Sequence, residues 1–263
     1  MDKASIGGVL LAVVGILAGL LLEGGNLGQI LQPTAALIVF GGTLGAVLLQ
    51  FPLDTVLGSA VRLVRIFRPD RRKKGHVIAM LVQFAHKARR EGVVSLDKDL
   101  PTIPDPFLRQ ALMLAVDGTE PGELRKMMRV SMDSAAEAED RFPSVFESAG
   151  GFSPTIGILG AVMGLIQVMQ HLDNIQEVGR GIAVAFVATI YGVGAANLFF
   201  LPFSGKMRLQ IRDEQQRREM MLEAVISILE GMNPRMLEIK LAGFDCSVTG
   251  GERQAKQKKE RAA

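Results

Sequence analysis

The chain has 263 residues, 48% of them hydrophobic and 22% charged, with 30 Lys and Arg against 27 Asp and Glu. A soluble domain seldom combines a positive mean hydropathy with that much charge, so the two residue classes must be segregated along the chain. One cysteine, Cys246, excludes an intrachain disulfide framework and a cysteine-based metal cluster, and a net charge of +3 gives no reason to expect nucleic acid as a partner.

In chain order, the first apolar stretch is Ser5–Leu22 and the second Pro33–Phe51. Each approaches the roughly 20 residues that a helix needs to cross the hydrocarbon core. The first is read as an anchor and not a cleaved leader, because Met1-Asp2-Lys3 carries no net side-chain charge and a second span follows at once. Residues 52–149 are predicted to form a helical domain. Val56, Ala60, Leu63, Val64 and Phe67 recur at helical spacing over Leu53–Phe67, and Val77–Ala88 repeats the pattern. Arg71–Lys74 reads as a lipid-facing basic anchor. Pro101, Pro104 and Pro106 punctuate a connection, Asp105-Pro106 starts a helix through Val116, and Pro121 opens another over Gly122–Asp140.

Two further membrane-length stretches, Gly150–His171 and Gly179–Leu201, lie back to back over residues 150–202. A charged helix, Lys206–Leu229, continues from the fourth stretch within a segment 203–244. Residues 245–263 turn polar and read as a disordered tail. The fold class is thus all-α: a polytopic membrane protein with four transmembrane helices and a helical cytoplasmic domain. Lys and Arg set the orientation. Pro52–Ala149 carries 16 of them and the tail from Gly205 carries 12, whereas Glu23–Gln32 and Leu172–Glu177 carry none. Both termini and the large middle segment are expected to be cytoplasmic.

The chemistry is defined by what is missing. No nucleophile motif, glycine-rich phosphate loop or metal-ligand spacing is present, so no enzyme activity and no cofactor are expected; His76 and His86 lie ten apart, off a common helix face. Ionisable residues inside a bilayer are costly and mark transport routes. All four stretches lack Asp, Glu, Lys and Arg between their ends. If ions cross here, a partner must bring the carboxylate. Thr189, at mid-span, is the candidate polar contact, although a threonine can equally bond its own helix backbone. Pro154 is the second, since a proline frees a carbonyl and permits a bend, although prolines are also common near helix starts. Gly157, Gly160, Ala161 and Gly164 on one span, with Gly192, Gly194, Ala195 and Ala196 on the other, allow close helix contact.

These features resemble the MotA/PomA family of flagellar stator subunits. The likeness is carried by the four-span layout, by Pro154-Thr155-Ile156-Gly157-Ile158-Leu159-Gly160 followed by Val162-Met163-Gly164-Leu165, by Ala183–Gly192 ending Ala188-Thr189-Ile190-Tyr191-Gly192, by Pro202, and by Ala88-Arg89-Arg90-Glu91-Gly92-Val93-Val94-Ser95-Leu96-Asp97. It implies a pentamer in the bacterial inner membrane, five chains around two copies of a MotB-like subunit whose single span supplies an aspartate. Spans three and four would line the inside and spans one and two, at residues 1–51, would face lipid. By the same resemblance Pro154 would couple protonation to helix movement, Thr189 and, less directly, Tyr191 would face the ion path, and Pro202 would transmit motion. Arg89, Arg90 and Asp97 would contact the rotor protein FliG. Sodium-driven members carry a hydroxyl where this chain has Ala161, so the expected ion is the proton. The alternatives are an ExbB/TolQ-type energiser, which resembles a three-span chain, and a passive membrane scaffold.

Overall fold

A computed structural model describes residues 3–66 and 74–244, and the described residues contain helices and no strands. The basic anchor expected at Arg71–Lys74 lies outside them apart from the start of a helix at Lys74, and so do Cys246 and the expected disordered tail. The helices are α1 (Lys3–Leu22), α2 (Pro33–Gln50), α3 (Leu53–Ile66), α4 (Lys74–Glu91), α5 (Pro106–Val116), α6 (Pro121–Gln170), α7 (Ile175–Leu229) and α8 (Pro234–Ala242). A short turn, Leu27–Ile30, and a 3-10 segment, Val93–Thr102, complete the described chain.

By length and composition α2, α6 and α7 can each cross a membrane, and Gly7–Leu22 of α1 is a shorter apolar helix. One expectation changes. The helix opened by Pro121 does not end before the third apolar stretch: it runs 50 residues to Gln170, with Pro143 and Pro154 inside it. A proline removes one backbone bond and bends a helix, yet here the flanking turns continue. The expected division at residue 150 is therefore a change of composition, and no helix ends there. As expected, α7 passes without a break from the fourth stretch into its charged extension, through a π-helical turn at Ala196–Phe200.

The chain divides into two compact units. Of the described residues, the first holds 3–66 and 139–210. Its buried residues include Ala35 and Val39 of α2 against Val184, Val187 and Ala188 of α7, with Val47, Val145 and Ala149 in a separate cluster. An apolar cavity of about 330 Å³ separates α1 from the π-helical turn of α7. At the 139–147 end, Arg62 pairs with Glu139 and lies over the Phe142 ring, while Arg208 pairs with Asp140 and Glu147.

Of the described residues, the second unit holds 74–138 and 211–244. Leu81, Leu108, Leu112, Leu124, Met221 and Ile226 belong to its core. Asp105 caps α5, accepting from the Phe107 and Leu108 amides, as the Asp-Pro step predicts. The same carboxylate pairs with Arg217 at 2.9 Å, both side chains at most 10% exposed. Glu223 sits between Arg125 and Lys240. Burial raises its pKa, but the hydrogen bonds and charges of Arg125 and Lys240 outweigh burial and hold it below the usual carboxylate range.

A carboxylate depressed in the folded state stabilises the fold above its unfolded pKa and loses that contribution as pH falls through the folded value. Acidification below the ordinary carboxylate range is expected to lower the melting temperature of purified protein. In Glu223→Gln the acid-induced drop should shrink, while melting near neutral pH moves down; parallel pH profiles for the two proteins would refute this role.

Candidate functional site

The apolar ends of α6 and α7 form an antiparallel hairpin closed by a short turn. Asn174 caps α7, its side chain accepting from the Gln176 amide, and its own amide donates to the His171 carbonyl. What brings the two helices together is a seam of residues without side chains. A Cβ on Gly157 would lie 2.9 Å from the Ala188 carbonyl oxygen, and one on Gly192 would lie 2.5 Å from the Ser153 carbonyl oxygen and 3.2 Å from the Pro154 Cα. One helical stretch along, a Cβ on Gly164 would lie 2.9 Å from the Gly181 carbonyl oxygen, and one on Gly181 would lie 2.6 Å from Val168. Small residues three and four apart thus let the backbones touch, as membrane helices do where lipid gives no hydrophobic drive to association.

The seam places Pro154 beside Gly192, with Gly157 next along the same face. Pro154 and Ala161 are half-buried. Thr189 is also half-buried, and its hydroxyl donates to the Ala185 carbonyl at 3.2 Å, the local bond that the sequence left open. That bond satisfies the donor only. The oxygen keeps acceptor capacity toward a passing donor, in a span without a charged group at its middle.

Tyr191 is not brought to that position. Its hydroxyl donates to the Ile30 carbonyl at 2.6 Å and accepts from the Gln32 amide at 3.4 Å, and its ring sits 6.0 Å from Phe40. Two residues along a helix turn the side chain about 200°, so Tyr191 ties α7 to the start of α2 and away from Thr189. Pro202 is exposed and follows the π-helical turn directly. Having no amide proton, it cannot bond the Leu198 carbonyl, and its ring crowds that oxygen; a widened turn relieves the clash. Asn197 donates across the turn to the Val193 carbonyl at 2.9 Å.

A second candidate surface belongs to the other unit and is described by itself. Gly92, at φ +84°, reverses the chain between α4 and the 3-10 segment, a backbone conformation that glycine adopts without cost. Ala88 and Leu96 enter the core on either side of it, and Lys87 pairs with Asp99 at 2.6 Å. This bracing leaves Arg89, Arg90 and Asp97 exposed on the outside of the turn. The sequence showed the charges; the Lys87–Asp99 brace was missed, because its charges look the same as their solvated neighbours. Also missed were Ser153 and Thr43, whose burial depends on how α2 packs.

Comparison with known proteins gives a consistent picture. The family model "MotA/TolQ/ExbB proton channel family" matches residues 99–220, and "Motility protein A N-terminal" matches residues 6–92. Motility protein A of Bacillus subtilis is 33% identical over 92% of this chain and 90% of its own length. That of Helicobacter pylori is 32% identical over 93% and 95%. A chain in the structure of C. jejuni MotAB superposes with a TM-score of 0.87 at 33% identity, covering 93% of this chain and 96% of that one. The flagellar MotAB stator complex from Bacillus subtilis gives 0.84 at 35% identity, with 91% and 94% covered.

The glycine seam makes a steep size prediction. Overpacking a closed contact costs about 1–3 kcal/mol, so Gly157→Ala should lower the melting temperature of the detergent-solubilised protein. Gly157→Val should lower it further, while Gly194→Ala, where a Cβ meets nothing within 4 Å, should not. Equal shifts at 157 and 194 would show that the seam is not under compression.

Proposed function

The chain belongs to the motility protein A family, and from that premise we propose how it works as the ion-conducting stator subunit of a bacterial flagellar motor. It crosses the inner membrane four times with both termini in the cytoplasm, through α1, α2 and the apolar parts of α6 and α7. Five copies surround a MotB-like partner, in keeping with the MotAB complexes that the fold resembles. The partner brings the carboxylate that takes up and releases the ion.

The observation that carries this reading is a close-packed hairpin with a half-buried hydroxyl at Thr189 and no Asp, Glu, Lys or Arg between the ends of either span. Such a wall excludes water and lets a neighbouring acid titrate without fixing it in an ion pair. The Thr189 oxygen offers that acid, or the water beside it, one weak contact. Pro154, packed on Gly192, is where a change in the partner's charge bends α6. Pro202 and the π-helical turn before it are the joint in α7 through which the step is passed on.

The transported ion is the proton. Ala161 has no oxygen to replace the hydration of a hard cation, which favours oxygen ligands. Torque reaches the rotor protein FliG through Arg89, Arg90 and Asp97, whose charges orient the encounter and contribute less to its strength. An ExbB/TolQ-type role is less well supported, since motility proteins match this chain along nine tenths of their length. A passive scaffold would have no use for the Thr189 hydroxyl.

Swimming of a stator-deleted cell expressing this chain with its partner tests the proposal. Thr189→Val keeps the shape and loses the oxygen, and should abolish or severely cut swimming while membrane levels stay normal. Replacing sodium by potassium at constant proton-motive force should leave the unsubstituted protein's swimming speed unchanged. Normal swimming of Thr189→Val would favour the scaffold, and arrest on sodium removal would overturn the proton assignment.

A further inference from the structure

Thr43 and Ser153 are, among the described residues, the buried side chains whose hydroxyls lack a hydrogen-bond partner, at 3% and 0% exposure. Other helical hydroxyls turn back on the carbonyl four residues earlier: Ser59 on Thr55 at 2.7 Å, Ser144 on Asp140 at 2.8 Å, and Ser227 on Glu223 at 2.7 Å. Thr43 and Ser153 do not take this bond, so both point elsewhere.

The packing of α2 against α6 says where. The two helices run antiparallel: a Cβ on Gly160 would meet Ile38, a Cβ on Gly42 would meet Ile156, and Val47 joins Ala149 in a buried cluster. Advancing along α2 therefore means retreating along α6, and this register sets Thr43 level with Ser153. A third polar atom lies within one turn of Ser153 on α6. Pro154 has no amide proton, so the carbonyl of Gly150, itself buried, has lost its helical donor. Two unpartnered hydroxyls thus lie at one level of an otherwise apolar interface, within a helical turn of a freed carbonyl.

We propose that Thr43, Ser153 and the Gly150 carbonyl hold one ordered water, which hydrates the bend at Pro154 from the α2 side. A buried water takes about three polar partners, and prolines inside membrane helices are accommodated where Ser or Thr side chains and ordered waters satisfy the freed carbonyl. The water would bond both hydroxyls at once, so neither residue acts alone. The inference rests on the membrane placement of these helices in the function proposed above, and its test does not use motility.

Thr43→Val and Ser153→Ala, made singly and together in the full complex in lipid nanodiscs, are compared by thermal unfolding. A shared water couples the sites, so the double variant should melt no lower than the more damaging single variant. Shifts that simply add would overturn the proposal. If a single variant does not assemble, a map of the unsubstituted complex that resolves ordered waters decides. Density within hydrogen-bonding reach of both hydroxyls supports the site. No such density, or hydroxyls turned back on the Val39 and Ala149 carbonyls, overturns it.

Discussion

Between Gly157 and Gly192 there is no space for a side chain, and the backbones of α6 and α7 meet there. Much else follows from that contact. It sets the bend residue Pro154 against α7, it holds Thr189 half-buried one face round, and it leaves Ile158, Val162 and Ile166 of α6 outward and unburied within a single chain. Apolar surface of that extent on a helix already packed on one side needs lipid or other protein against it. A subunit of a larger membrane assembly meets that need.

The seam also explains how a span without charge can take part in ion movement. Burying a carboxylate in this chain would require a partner cation or a raised pKa, and either would tie the acid to one neighbour. A wall of Gly, Ala and branched apolar residues makes no such demand. The acid can then be carried on a separate polypeptide, where its protonation changes its relation to every surrounding copy alike. Within the other unit the least exposed carboxylates are held by cations: Asp105 by Arg217, Glu223 by Arg125 and Lys240. Arg89, Arg90 and Asp97 lie exposed at the turn after α4.

Much of this was legible in the residues. Apolar stretches of membrane length, the Asp105-Pro106 helix start, the opening at Pro121 and the continuation of the fourth stretch into a charged helix all depend on local chemistry, which sequence reports directly. The 50-residue length of α6 did not show, because composition changes at Gly150 while the backbone hydrogen bonding does not. The π-helical turns at Leu37–Gly41 and Ala196–Phe200 did not show either, although Pro202 stands just after the second. Tyr191 was expected, less directly than Thr189, to face the ion path; its bond to the Ile30 carbonyl did not show, because the partner is 161 residues away. The orphaned hydroxyls of Thr43 and Ser153 are a tertiary fact entirely, invisible until α2 lies on α6.

The central claim is that this polypeptide shapes an ion path whose titrating group it does not own. Proton flux into liposomes under an imposed gradient, measured for the purified chain alone and for the chain with its carboxylate-bearing partner, tests it most directly. The account predicts that vesicles holding the chain alone leak no faster than empty ones, while the complex conducts and loses conduction when the partner's membrane carboxylate is replaced by an amide. Flux through the chain alone at the rate of the whole complex would contradict it.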